Sequence, residues 1–159
     1  MGKYTEIFNY LKQCPQLNQL WGLYAEEIDG TSVILPFGTS PRRNLDGYID
    51  TLGLYNGEIK PLPSVYEEYQ VNCYKDIVSN ATEYNFMKLE DVQAVCDWII
   101  EQDENGNLPQ LAGKQTISVE PFPFNPQVRY IDPDKNIVAY FITVRITYVN
   151  PALGRTIEF

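Results

Sequence analysis

Three groups of carboxylates stand out in this chain: Glu26, Glu27 and Asp29; Glu67 and Glu68; and Glu101, Asp103 and Glu104. Paired carboxylates can cleave a glycosidic bond, one as acid and one as base or nucleophile, or they can hold calcium among hard oxygens. The run Asp103-Glu104-Asn105-Gly106-Asn107 has such oxygens but lacks the closing bidentate Glu and the odd-position register of an EF-hand, so it reads as a solvated helix end. Twelve tyrosines offer a second chemistry, a stacking platform for a sugar or a base. Tyrosine is equally a strand and interface residue, so the count by itself does not choose between these roles. Histidine is absent, which removes the commonest general base, the Ser-His-Asp and Cys-His pairings, and most zinc and iron sites.

The remaining motifs are weaker. Cys14, Cys73 and Cys96 are odd in number and widely spaced, fitting neither a disulfide framework nor a zinc knuckle, and they read as reduced core thiols. Gly2, Gly22, Gly30 and Gly38 are isolated, without the strand-to-helix spacing that cradles a phosphate. Asn80-Ala81-Thr82 spells a glycosylation sequon, but the N-terminus has no apolar secretory segment before it. Arg42-Arg43 is too short for a nucleic-acid patch. Catalysis, metal and cofactor all become minority expectations.

Size and charge narrow the class further. At 159 residues the chain is one domain's length, and its 44% hydrophobic and 21% charged content is that of a folding globular chain. Twelve basic against 21 acidic residues leave a net charge of −9, which argues against electrostatic capture of nucleic acid or anionic lipid. No stretch of 18 apolar residues occurs, so a soluble, intracellular protein is expected.

The elements that must position these residues follow from periodicity. Ile7, Phe8 and Leu11 predict a first helix over 4–13, with Thr5 near its cap. Pro15 breaks it, and Leu17, Leu20 and Trp21 predict a short second helix. Thr31 to Leu35 is β-branched and ends at Pro36, as a strand at or near a sheet edge would. From 38 to 64 the chain is rich in Gly and Pro, and Asn56-Gly57 signals a hairpin turn, so a long arm is expected there. Val65 to Lys75 alternates, with Tyr69, Val71 and Cys73 on one face and Glu68, Gln70 and Asn72 on the other. Leu89, Val92, Cys96 and Ile99, widened by Val95 and Ile100, predict a helix over 88–104 that carries Glu101 and Glu104 at its end.

Beyond that helix, Ile117 and Val119 read as inward residues of a strand, and Pro121 to Pro126 must run extended. Asp132 to Asn136 has hairpin-loop chemistry, leading into a last strand whose even positions Val138, Tyr140, Ile142, Val144, Ile146 and Tyr148 are all apolar. The fold class expected is α+β, a single domain with an antiparallel sheet and helices packed on one face.

Four segments then come in a telling order: Tyr10-Leu-Lys-Gln-Cys-Pro-Gln-Leu17, Asp97-Trp98-Ile-Ile-Glu101, Gly106-Asn-Leu-Pro-Gln-Leu111 and Ala139-Tyr140-Phe-Ile-Thr-Val-Arg-Ile-Thr-Tyr148. Together they resemble minor capsid or tail terminator proteins of long-tailed phages and prophages of Gram-positive bacteria. The resemblance spans most of residues 4–150. It implies a small α+β subunit that forms a ring, hexameric on the virion, closing the tail tube and joining it to the head connector. Its partners would be copies of itself, tail-tube protein and connector protein. DNA would pass without specific binding, and neither enzymatic activity nor a cofactor is implied. The protein would then be found in the virion, and in the host cytoplasm during assembly. The arm is longer and richer in Gly and Pro than the corresponding segment of the family. A non-catalytic ligand-binding or protein-interaction module built on exposed tyrosines is the alternative, and a carboxylate enzyme the third.

Candidate interface residues on this reading are Arg42, Arg43, Tyr48, Tyr55, Glu58 and Lys60 in the arm, and Glu101 and Glu104 at the acidic helix end. An arm with few backbone partners of its own would be ordered by a neighbour, leaving the isolated subunit monomeric or weakly associated. Deleting 50–60 is expected to leave the melting transition nearly unchanged and to abolish assembly of tail-complete particles, checked by calorimetry and particle counting.

Overall fold

A computed structural model describes residues 2–39, 51–55, 58–62 and 64–149, with backbone alone for 39, 51–55 and 58–62. The elements run α1 (Lys3–Leu11), a 3-10 turn at Pro15–Leu17, β1 (Leu20–Gly22), β2 (Ser32–Thr39), β3 (Thr51–Tyr55), β4 (Glu58–Leu62), β5 (Ser64–Asp76), α2 (Thr82–Glu104), β6 (Gln115–Pro121), β7 (Gln127–Asp132) and β8 (Ile137–Val149). The fold is α+β: a six-stranded sheet in the order β1-β2-β5-β8-β6, with β7 also on β8, and a separate β3–β4 pair.

The spine is the antiparallel β5–β8 ladder, unbroken from Ser64↔Val149 to Asp76↔Ile137. The outer edge of β8 is shared: β6 pairs its C-terminal part and β7 its N-terminal part, with the Phe122–Pro126 bend between them. All six even apolar positions of β8 join one buried cluster with Ile7, Leu11, Val92, Val95, Cys96 and Ile99, so both helices pack on the same face. A smaller cluster on the opposite face joins Val33, Tyr74, Ile137 and Ala139, with Ala25 and Tyr130 packed against it.

Several expectations need correction. The sheet is mixed, because β1 runs parallel to β2 through Leu20↔Ser32, Trp21↔Val33 and Gly22↔Ile34. The predicted second helix is a single 3-10 turn followed by that strand. A period of two explains it: Leu20 is buried and Trp21 exposed, whereas a helical stripe would have put both on one side. Thr5 lies inside α1, whose N-cap is Gly2 without a side-chain cap. The long helix begins at Thr82, six residues before the expected start, and its first turn holds Glu83 rather than Glu90 and Asp91. β2 continues through Pro36 with a bulge at Phe37. Pro36 lies beyond the last β1 pair, on the stretch where β2 has only β5 beside it among the described residues, which suits a residue without an N–H.

Ile117, expected inward, is exposed, because β6 bulges between Thr116 and Ser118 and inverts the facing of the residues before it. Asn72, expected on a wet face, is buried where the smaller cluster covers that end of the sheet. The hairpin expected around Asn56-Gly57 is present in the β3–β4 pairing, which ends at Tyr55↔Glu58, while 56 and 57 themselves lie outside the described residues. Gly38 and Thr39 belong to β2 and Ser64 to β5, so the arm is shorter than expected.

Val144 and Ile146 are both fully buried in the main cluster. Ile146→Ala is expected to cost about 2–5 kcal/mol, measured by denaturant unfolding, and a value near zero would contradict the packing of β8 beneath the helices.

Candidate assembly surfaces

Each carboxylate group of the sequence has a structural partner. Strand alternation sends Glu67 and Glu68 to opposite faces of β5. Glu67 is only 2% exposed on the helix side, where Lys3 Nζ approaches its Oε1 at 2.6 Å and the Tyr69 hydroxyl donates to the same oxygen at 3.4 Å. The hydrogen bond to Glu67 holds the Lys3 ammonium above its ordinary pKa. Among the described residues Glu67 Oε2, itself buried, has no donor. Glu68 faces the other way, 3.7 Å from Arg145, whose guanidinium lies 4.4 Å from the Tyr66 ring centre and 4.1 Å from that of Phe122. Two carboxylates on opposite sides of a sheet cannot act together on one bond.

Around β1–β2, the hydroxyl of Tyr130 and then the Lys135 ammonium hold the Glu27 carboxyl below its ordinary range. Burial pushes Asp29 up, but the Asp76 N–H and Lys88, both at 2.9 Å, outweigh it and leave the carboxyl low. At the end of α2 the group divides: Asp103 Oδ1 accepts the Val119 N–H at 3.0 Å and ties the helix to β6, while Glu101 and Glu104 are exposed. Among the described residues no three carboxylate or thiol side chains converge as a metal ion requires. Burial pushes the Cys14 thiol up to about 11 and that of Cys96 to about 12, and raises Cys73 as well, so none is a ready nucleophile.

The tyrosines are largely built into the fold. Tyr10 donates to the Asn107 carbonyl at 2.7 Å and packs on Trp98, Tyr66 lies against Arg145, and Tyr69, Tyr140 and Tyr148 are in the main core. Tyr4 and Tyr24 are exposed, and both belong to the region around β1. Of the predicted interface residues, Arg42, Arg43 and Tyr48 lie outside the described residues. Tyr55 and Glu58 pair at the end of the β3–β4 ladder and Lys60 opposes Gly53, with no side chains described. Glu101 and Glu104 share one exposed helix end.

What sequence reasoning missed is the pair of apolar edges. At the β1–β2 edge Tyr4 and Leu23 are exposed on a groove of about 420 Å³ that Phe8, Ile34, Pro36 and Tyr69 also line, while Trp21, paired with Val33 of the other face, Tyr24 and Phe37 are exposed outside that lining. At the β6–β7 edge Ile117, Phe122, Phe124, Val128 and Ile131 are exposed. These two sets stand at opposite ends of the strand order. Their signal in the sequence is adjacency, Trp21-Gly-Leu-Tyr24 and Phe122-Pro-Phe124, which no single-face pattern can bury. No protein-family model and no curated protein sequence matches the chain.

The Glu27 contacts give a pH signature. A carboxyl held below its ordinary value of 4.5 contributes stability that is complete above that value and is lost as pH falls through the folded-state value. Glu27→Gln is therefore expected to flatten the fall in melting temperature below pH 4.5, with the variant and wild type converging at the most acid pH.

Proposed function

We propose that this chain is a non-enzymatic assembly subunit that builds a closed ring by repeating one head-to-tail contact. In keeping with the resemblance of its sequence, the ring is a tail terminator or minor capsid ring at the head–tail junction of a long-tailed phage. The observation that carries this reading is the presence of two unlike apolar edges on opposite sides of one sheet. A two-fold dimer needs one self-complementary patch, whereas a ring needs two different patches that fit each other. The ion pairs made by Glu27, Asp29, Glu67 and Glu68, and the burial of the three thiols, further favour a structural role over catalysis.

Charge agrees with a conduit. Each subunit carries −9, and six of them surround a channel with a field that repels phosphate, so DNA slides without being held. The alternative, an interaction or ligand-binding module built on exposed tyrosines, draws on Tyr4, which lines the groove beside α1, and on the exposed Tyr24.

Electron microscopy of the purified protein, alone and mixed with tail tubes of the phage that encodes it, is the direct test. Closed rings of about six copies capping the tube ends are expected. Bare tubes beside monomers, or two-fold dimers alone, would overturn the reading.

A further inference from the structure

The groove beside α1 has the size and the walls of a small-molecule site. Tyr4 and Phe8 of α1 line it on the helix side and Leu23, Ile34 and Pro36 on the sheet side, with the Tyr69 ring edge-on to that of Tyr4 at 6.2 Å. The Tyr69 hydroxyl is committed to Glu67, so what Tyr69 offers a ligand is ring carbon. A volume of about 420 Å³ falls within the ~300–1,000 Å³ of small-molecule pockets. Leu23 is held at φ 66, in the left-handed region that Gly or Asn adopts more readily. A turn alone would be served by either of those; a leucine there, 70% exposed, adds an apolar wall.

The helix side of the groove ends on a cation. Lys12 follows Phe8 by one helical turn, and its ammonium lies 5.4 Å from the Phe8 ring centre. Among the described residues the ion pairs are made by other basic side chains: Lys3, 5.2 Å from the Tyr4 ring centre, is taken by Glu67, and Arg145 by Glu68. Glu6, the other carboxylate of α1, lies about half a turn round the helix from both Tyr4 and Phe8. Lys12 is therefore the charge left to meet a ligand.

We propose that this groove binds a small amphiphilic carboxylate, such as a medium-chain fatty acid, with the apolar chain between Phe8 and Leu23 and the carboxylate at Lys12. Eight residues line the groove, far fewer than the ~20–30 a side of a standard protein interface, which favours a small molecule over a protein partner. A net charge of −9 repels an anionic bilayer at long range, so the occupant is a free molecule that the local Lys12 charge can hold.

This site goes beyond the assembly reading and does not depend on it. Trp21, Tyr24 and Phe37 are exposed outside the lining, so a filled groove leaves them available to a neighbouring copy.

The test is isothermal titration of the full chain with octanoate, octanol and octylammonium, which share one apolar tail and differ in charge. Octanoate should bind with a Kd below about 1 mM, octanol more weakly and octylammonium most weakly of the three. Lys12→Met keeps an apolar stem and removes the charge; it should weaken octanoate about threefold or more and leave octanol unchanged. Leu23→Asp should weaken both at least about tenfold, and should melt like wild type because Asp tolerates a positive φ and the side chain is exposed. Absence of octanoate binding at about 1 mM, octylammonium binding as tightly as octanoate, or either variant binding octanoate like wild type would overturn the proposal. So would self-association of the ligand-free protein that Leu23→Asp abolishes, because the groove would then belong to a second copy.

Discussion

Two thirteen-residue strands, β5 and β8, pair along their whole length, and every other part of the described core is placed by that ladder. Its register decides which side chains share a face. Tyr69 opposes Val144, Val71 opposes Ile142 and Cys73 opposes Tyr140, and all six belong to the layer beneath the helices. A slip of one residue would carry that set to the other face and bring Arg145 and Glu68 into the core, so the register is strongly specified. β2 then extends the sheet on one side, while β6 and β7 divide the other side between them. The division leaves a bend in mid-edge, where Phe122 N–H still donates to the Thr143 carbonyl at 2.8 Å before the chain turns outward.

Two ionic contacts report how closely the faces are defined. Glu67 sits among apolar neighbours because its register demands it, and the Lys3 ammonium, reaching from the first turn of α1, together with the Tyr69 hydroxyl makes that tolerable. The pair therefore fixes where α1 starts relative to β5, and with it one wall of the groove. Arg145 does the corresponding work on the opposite face. Its charge meets Glu68, its plane lies between Tyr66 and Phe122, and the Phe122–Pro126 bend is thereby fastened to the sheet. Neither contact has catalytic geometry, yet each supports one of the two apolar edges.

The features legible in the sequence were those written as long periods. Six apolar residues at alternate positions of β8 can only be a strand with one buried face, and Val92, Val95, Cys96 and Ile99 can only be a helix stripe. Asp132 to Asn136 likewise declares its turn, with Asp132 Oδ1 accepting the N–H groups of Asp134 and Lys135. Short segments were governed by tertiary context instead. Leu20 to Gly22 becomes a strand because β2 offers a parallel ladder beside it, with Ser32 N–H donating to Gln19 and Leu23 N–H to Ile34. Ile117 is turned out by a bulge, a one-residue insertion that leaves no trace in an alternating pattern. The paired edges were invisible for a related reason: each gathers residues from several elements, and only the strand order shows that the two sets lie on opposite sides.

Subunits carrying −9 each repel one another, so a contact between copies cannot rest on long-range attraction. It would have to come from short-range burial of apolar surface, and the two edges are among the places where the described residues leave large apolar side chains outside. If copies associate as proposed, screening by salt would weaken the repulsion and leave the apolar term nearly untouched, which would make association stronger at high ionic strength. An interface held by ion pairs would respond in the opposite direction. In the ring proposed above, the same repulsion would grow with each copy added, so closure, where the last subunit would gain two contacts at once, would be the step that offsets it.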